Sequence, residues 1–217
     1  MKKVLRKLEG EMKEQEVKEE EELIEKEKEQ ISEGAFMELI MNEVNHKTLN
    51  IMAPFDDKLV EHVRTFADNL WYYEADEKRP LYVNISSHGG YLASLLAILD
   101  ILQDLKDEWD CTIMTNCSGY AESCGFILWC FGDERYMGKY GELMCHTIKY
   151  NWEGSPDDHE KELKRTKQMQ TKIDNIIMEK TPISKKQLNK WYKEGDHFIN
   201  REEALRLGLL TLEKEDE

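Results

Sequence analysis

Leu81-Tyr82-Val83-Asn84-Ile85-Ser86-Ser87-His88-Gly89-Gly90 is the stretch that decides the fold of this chain of 217 residues. Pro80 introduces an apolar, partly β-branched run from Leu81 to Ile85 that reads as a strand, and two adjacent glycines end it. Directly beyond, Leu92, Leu95, Leu96, Leu99 and Leu102 recur at spacings that mark one face of a strongly apolar helix. Strand, glycine turn and helix in that order make a βα unit, and the question becomes whether the unit repeats.

It does, on both sides. Upstream, Thr48 to Met52 reads as a short strand, and Leu59, Val60, Val63, Phe66, Ala67, Leu70 and Trp71 fall on one helical face. Downstream, Cys111 to Asn116 reads as a third strand and Ser118-Gly119-Tyr120 as a turn. Ser123 then opens an apolar helix through Phe126, Ile127, Leu128 and Trp129. Two short strands come next, near Glu134 to Met137 and Leu143 to His146, set apart by Gly138 and Gly141. Asp157 to Lys180 is a long helix with Leu163, Thr166, Met169, Ile173 and Ile176 on one side. Pro182 separates it from a helix over Ser184 to Tyr192 that Ser184 can cap. Repetition of this kind predicts an α/β domain with a buried, largely parallel sheet. Trp71, Trp129, Trp152 and Trp191 lie in or near these elements and suit a core or an interface equally.

Charge narrows the function classes. Forty-five acidic residues against 30 basic give a formal charge of -15, which opposes nucleic acid and anionic membranes as partners. Much of the excess is terminal: residues 1–33 hold 8 basic and 12 acidic side chains, and the tail 213–217 holds four acids and one base. The chain therefore divides into an extension over 1–33, a domain over 34–212 and an acidic tail over 213–217. In the extension Val4, Leu8 and Met12 repeat every four positions and Val17, Ile24 and Ile31 every seven. That thin stripe suits either a partner helix or a charged, partly disordered arm, with Gly34 as its punctuation. No run of apolar residues is long enough for a membrane-spanning helix, and none stands behind Lys2 and Lys3 as a secretory signal requires, so a cytoplasmic location is expected. Cys111, Cys117, Cys124, Cys130 and Cys145 are odd in number and lie in apolar segments. They read as small hydrophobes of a reducing compartment, and since no two have zinc-ligand spacing, neither a metal nor another cofactor is expected.

Two strand-to-helix turns face the same edge of such a sheet, where α/β proteins place their sites. At Gly89-Gly90 adjacent glycines let backbone amides approach a forming anion, although such a pair can also be a plain turn. At the second turn Ser123 stands at a helix N-terminus with the Cys124 amide beside it, placed either as a nucleophile in the helix's positive field or as an ordinary N-cap. His146, at the end of an apolar strand, can serve as general base to that serine or as a structural histidine.

Together these features resemble the Clp protease proteolytic subunit family, from about Thr48 to Leu212. Four ordered blocks carry the likeness: Leu81 to Gly90 resembles the family's strand and Ser-Pro-Gly-Gly turn, and Ser118-Gly119-Tyr120-Ala121-Glu122-Ser123-Cys124-Gly125 its nucleophile elbow. Leu143-Met144-Cys145-His146 is similar to its histidine strand, and Phe198 to Leu209 to its closing strand and helix, with Glu203-Ala204 and Gly208 in register. The resemblance implies a crotonase-like fold of repeated ββα units with a mainly parallel sheet. It implies an ATP-dependent serine endopeptidase acting on polypeptides, with Ser123 as nucleophile, His146 as general base and then acid, and the amides of Gly90 and Cys124 as oxyanion hole. It further implies a homo-oligomeric ring around an internal chamber, with Asp157 to Lys180 as inter-ring handle and an unfoldase ATPase as partner.

The departures fall at definite places. Where the family has the aspartate that orients the histidine, counting from either side lands on Trp191 or Tyr192, so Asp196 is the candidate third member, Glu194 the alternative, and an empty third place the remaining option. His88 replaces the family's proline, Glu122 replaces a small residue, and the N-terminus bears no likeness to the family's axial loop, which tells against docking of an ATPase. Two other functions fit the same fold: a ring subunit that has lost its catalytic acid, and an acyl-coenzyme-A hydratase or isomerase whose acid is Glu122 or Glu142.

Overall fold

The computed structural model describes residues 33–72, 79–151 and 153–211, and the chain falls into two compact units, Met1–Asn42 and Glu43–Glu217. The charged extension (Glu33 apart), the acidic tail and Trp152 lie outside the described residues. Residues 33–46 are helical (α1), and Gly34 lies within that helix near its first described residue. A single glycine costs a helix only about 1 kcal/mol relative to alanine, too little to end one by itself.

The second unit contains β1 (Thr48–Ile51), α2 (Asp57–Tyr72), β2 (Leu81–Ser87), α3 (Leu92–Trp109), β3 (Ile113–Glu122), α4 (Cys124–Phe131), β4 (Glu134–Met137), β5 (Glu142–Cys145), α5 (Pro156–Lys180), α6 (Lys185–Glu194), β6 (His197–Asn200) and α7 (Arg201–Arg206). The sheet runs β1-β2-β3-β5-β6, and β4 also pairs with β3. Pairings among β1 to β5 are parallel, and β6 closes the edge antiparallel to β5. Strand β3 serves two partners in succession: Met114 to Cys117 pair with β4, and Tyr120 to Glu122 with β5.

The segment Ser118-Gly119-Tyr120, expected to turn, instead continues β3. The register against β2 slips between Ile85 and Ser87, and Gly119 sits at φ 93. A glycine in that conformation makes a bulge, which bends a strand without reversing it and re-aims the residues beyond the bend. Ser123 lies at the end of the segment so re-aimed.

The sheet buries one face. Leu81, Val83, Ile85 and Ser87 of β2 point into the core while Tyr82 is exposed. On the other face Asn84 donates to Asn50 at 3.1 Å and Asn116 to Asn84 at 3.2 Å, a polar row across three strands. That row qualifies the expectation of a buried sheet, since the sheet's second face carries it. Under the apolar face lies α4, buried nearly all round through Phe126, Leu128, Trp129 and Phe131, as a central helix must be. Trp129 and Trp191 are core residues, whereas Trp71 is half exposed. Only the C-terminal part of α5 is buried, at Ile173, Asp174 and Ile177, and Leu163 on its first half is exposed. Among the described residues no helix is long and apolar enough to cross a membrane.

Candidate active site

Because β2, β3 and β5 run in one direction, their C-terminal ends deliver His88 to Gly90, Ser123 and His146 to the same edge of the sheet. The passage from β3 to α4 is made by Ser123 alone, at φ 52 and ψ -113, a region that costs a non-glycine residue about 1–3 kcal/mol. Its surroundings hold it there: the Ser123 N–H donates to the Met144 carbonyl at 2.9 Å, and the Ser123 carbonyl accepts from the Ile127 N–H at 3.2 Å. The Ser123 side chain makes no capping bond to α4, so the ordinary N-cap role is not the one it plays.

The glycine turn packs directly on this elbow. A Cβ on Gly89 would stand 2.7 Å from Ser123 Cβ and 3.1 Å from the Cys124 nitrogen. A Cβ on Gly90 would stand 2.5 Å from the Phe55 carbonyl oxygen, because Phe55 is bridged to this turn by its N–H to Gly89 and its carbonyl from the Tyr91 N–H. With φ of 98 and 154, both positions demand glycine on conformation as well as on space. Cys124 ties the two turns together, its thiol donating to the Gly90 carbonyl at 3.4 Å. Burial pushes that thiol up to about 11, so it is uncharged at neutral pH, and what Cys124 offers is its amide at the first position of α4, where no carbonyl lies one turn back.

His146 comes directly after the last residue of β5 and is half-buried. Its Nδ1 lies 2.5 Å from the Thr147 carbonyl oxygen. Gly90, Ser123, Cys124 and His146 line one cavity of about 320 Å³, whose apolar wall includes Leu92, Phe126, Ile148, Ile173 and Tyr192. Four of the residues singled out from sequence thus come together.

The expected carboxylate does not join them. Both oxygens of Asp196 accept from Lys149 Nζ, at 2.8 and 3.1 Å, and Glu194 pairs with His197 at 2.9 Å. Lys149 chiefly, and His146 to a smaller degree, hold the exposed Asp196 carboxyl below its ordinary range. The charge of Asp196 reaches His146, but its hydrogen bonds are spent on the lysine.

The two smaller departures prove to be partners. His88 Nδ1 lies 2.8 Å from Glu122 Oε2, and the His88 ring stacks on Tyr120 with centroids 4.0 Å apart. Glu122 is thereby committed to its neighbour, and neither Glu122 nor Glu142 lines the cavity at Ser123. A polar group that sequence reasoning overlooked is Asp174, fully buried in α5 and in contact with Gln170 and Tyr192. Its signal was an acid set between Ile173 and Ile177 on the apolar stripe of a helix, a place that requires partners.

Comparison with known sequences agrees with this geometry. The profile of the Clp protease family matches residues 11–212, reaching well ahead of Thr48. The chain is 30% identical over 168 residues to the ATP-dependent Clp protease proteolytic subunit 2 of Bacillus licheniformis, an alignment that covers 76% of this chain and 84% of that protein. Fold, converging turns and sequence agree, and the chain belongs to the Clp protease family.

Proposed function

We propose that this family member is a serine endopeptidase on a crotonase-like fold of repeated ββα units. Ser123 Oγ attacks the peptide carbonyl while His146 Nε2 takes its proton. The amides of Gly90 and Cys124 receive the oxyanion of the tetrahedral intermediate. His146 then returns the proton to the leaving amine, and water repeats the sequence on the acyl-enzyme. The observation that carries this reading is the strained elbow at Ser123, which spends its hydroxyl on no helix cap and lines one cavity with Gly90, Cys124 and His146. The apolar wall at Leu92, Phe126 and Ile173 suits a bulky apolar side chain next to the scissile bond. Asp196 acts on the developing imidazolium through its charge, diluted by Lys149.

In this reading the subunits form a homo-oligomeric ring around a chamber in the cytoplasm. The exposed first half of α5 supplies a surface for contact between rings. A fluorophosphonate probe tests the chemistry. Intact mass rises by one adduct on the wild-type chain and not on Ser123→Ala; a chain that labels equally in both forms, or in neither, sinks the reading.

Among the described residues no carboxylate hydrogen-bonds to His146, which favours a second reading, a ring subunit without activity. That protein would assemble but neither label nor cleave peptides. The hydratase reading has less behind it, since its acids are Glu122, engaged by His88, and Glu142, outside the cavity.

A further inference from the structure

Behind His146 a continuous run of hydrogen bonds leads inward to one buried carboxylate. His146 Nδ1 faces the Thr147 carbonyl oxygen at 2.5 Å. A carbonyl can only accept, so in this contact Nδ1 carries the ring proton and Nε2 is left with the lone pair. The Thr147 carbonyl and the Ile148 N–H are two ends of one planar peptide group. That N–H donates to Gln170 Oε1 at 2.8 Å, and Gln170 Nε2 donates to Asp174 Oδ1 at 2.9 Å. The neighbours fix the orientation of the Gln170 amide, because its oxygen meets a donor and its nitrogen meets a carboxylate.

Asp174 is held as firmly from its other side. It accepts from the Tyr192 hydroxyl at 2.6 Å and from Lys185 Nζ, with its own side chain 1% exposed. Tyr192 also receives Gln170 Nε2 at 3.1 Å, so the glutamine is gripped between α5 and α6. Trp191 or Tyr192 is where the family resemblance places its orienting aspartate. Here Tyr192 points its hydroxyl at Asp174 instead.

We infer that Asp174, acting through the Gln170 side chain and the Thr147–Ile148 peptide, is the positioning carboxylate of His146, connected by two amides in series rather than by direct contact. Each amide presents its oxygen toward the histidine and its N–H toward the carboxylate, so both dipoles point the same way. When Nε2 takes the Ser123 proton and the ring becomes imidazolium, the Nδ1 proton stays in place and the aligned dipoles, ended by a negative charge, favour the cation. No proton passes along the relay. Asp174 and Gln170 are positioning residues, and the inference rests on the reading of Ser123 and His146 as nucleophile and base.

Several charged or titratable groups face the relay. Lys185 and Tyr192 on α6 and Cys145 on β5 face Asp174, while Asp196 and Lys149 face His146. Lys185 is half exposed, so water screens much of its opposing charge, while Asp174 has almost no contact with water.

The test uses the full-length chain, with peptide hydrolysis measured from pH 5 to 9 and fluorophosphonate labelling as a parallel readout. Gln170→Met removes the relay at similar volume. Expected is a fall in kcat on the order of 10-fold to 100-fold, with KM little changed and labelling slowed in step. The acid limb of the pH–rate profile should move to lower pH, because the imidazolium has lost support. A folded Gln170→Met chain with wild-type kcat and an unmoved acid limb overturns the relay while leaving Ser123 and His146 in place. A wild-type chain that neither cleaves nor labels overturns the site and the relay with it. If Gln170→Met does not fold, nitrogen NMR of the wild-type imidazole decides: the Nδ1–H tautomer of His146 is expected, and the Nε2–H tautomer rules the relay out.

Discussion

The two walls of the cavity are built by different means. On the serine wall, Gly89, Gly90, Ser123 and Cys124 are placed by backbone: positive φ angles, a bulge at Gly119, bridge bonds from Phe55 and an N–H from Ser123 to Met144. On the histidine wall, side chains far apart in sequence do the placing, Gln170 on Ile148, Tyr192 and Lys185 on Asp174, and Lys149 on Asp196. Backbone geometry admits no substitute, since a Cβ at Gly90 has nowhere to go. A side-chain network can be rebuilt with other residues while His146 stays put, and in the proposed relay Asp174 takes the task that the family resemblance gives to the position of Trp191 or Tyr192.

That contrast is broken most directly at Gly90. Gly90→Ala sets a methyl 2.5 Å from the Phe55 carbonyl oxygen and 2.6 Å from its nitrogen, backbone against backbone. The expected cost is about 2–4 kcal/mol in denaturant unfolding. Activity should fall by at least about 10²-fold, as when one oxyanion donor is lost. A Gly90→Ala chain of ordinary stability and activity would mean that this wall is as adaptable as the other.

The difference also explains what could be read in advance. Ser123, Gly90 and Cys124 were legible because strand-to-helix turns announce themselves locally, by a glycine pair or by a serine ahead of an apolar run. The βα order and the cap at Ser184 were legible for the same reason. The long strand β3 was misread because Gly119 in isolation signals a turn as well as a bulge, and only pairing with Ser87 distinguishes them. Asp196 looked suitable because it lies close to Phe198 in the chain. Its engagement by Lys149, 47 residues away, leaves no local trace. Asp174 was overlooked because a buried acid is recognisable only with its three donors, two of which come from another helix.

A smaller effect sharpens the comparison below the site, where Asp133 clamps the ends of α3 and α5. Its carboxylate accepts from Lys106 Nζ, from Lys180 Nζ at 3.2 Å and from the Ile113 N–H at 3.0 Å. Burial alone would raise its pKa, but these partners outweigh burial and hold it below 3.8. Since the folded value is the lower one, the stabilisation is complete above the ordinary aspartate range and is lost as pH falls through the folded value. Asp133→Asn should cost about 1–3 kcal/mol at pH 7. The gap to wild type should narrow below pH 3.8. A gap that is constant with pH would show that the clamp works by shape rather than by charge.

The smallest expected effect falls on Asp196. Its side chain is exposed and shares its charge with Lys149, which water and salt screen further. Asp196→Asn should therefore lower kcat/KM by less than about threefold, leave the unfolding midpoint where it was, and matter less as ionic strength rises. Lys149→Ala is the informative companion, because it frees Asp196 to turn toward His146. If the orienting task already belongs to the buried network, releasing Asp196 adds little. If instead Asp196→Asn costs about 10²-fold or more, as loss of a directly bonded orienting carboxylate does, and Lys149→Ala raises activity, then the exposed aspartate is the true partner of His146. The histidine wall would then be completed by a local residue, as the serine wall is, and the contrast between the two walls would fail at its centre.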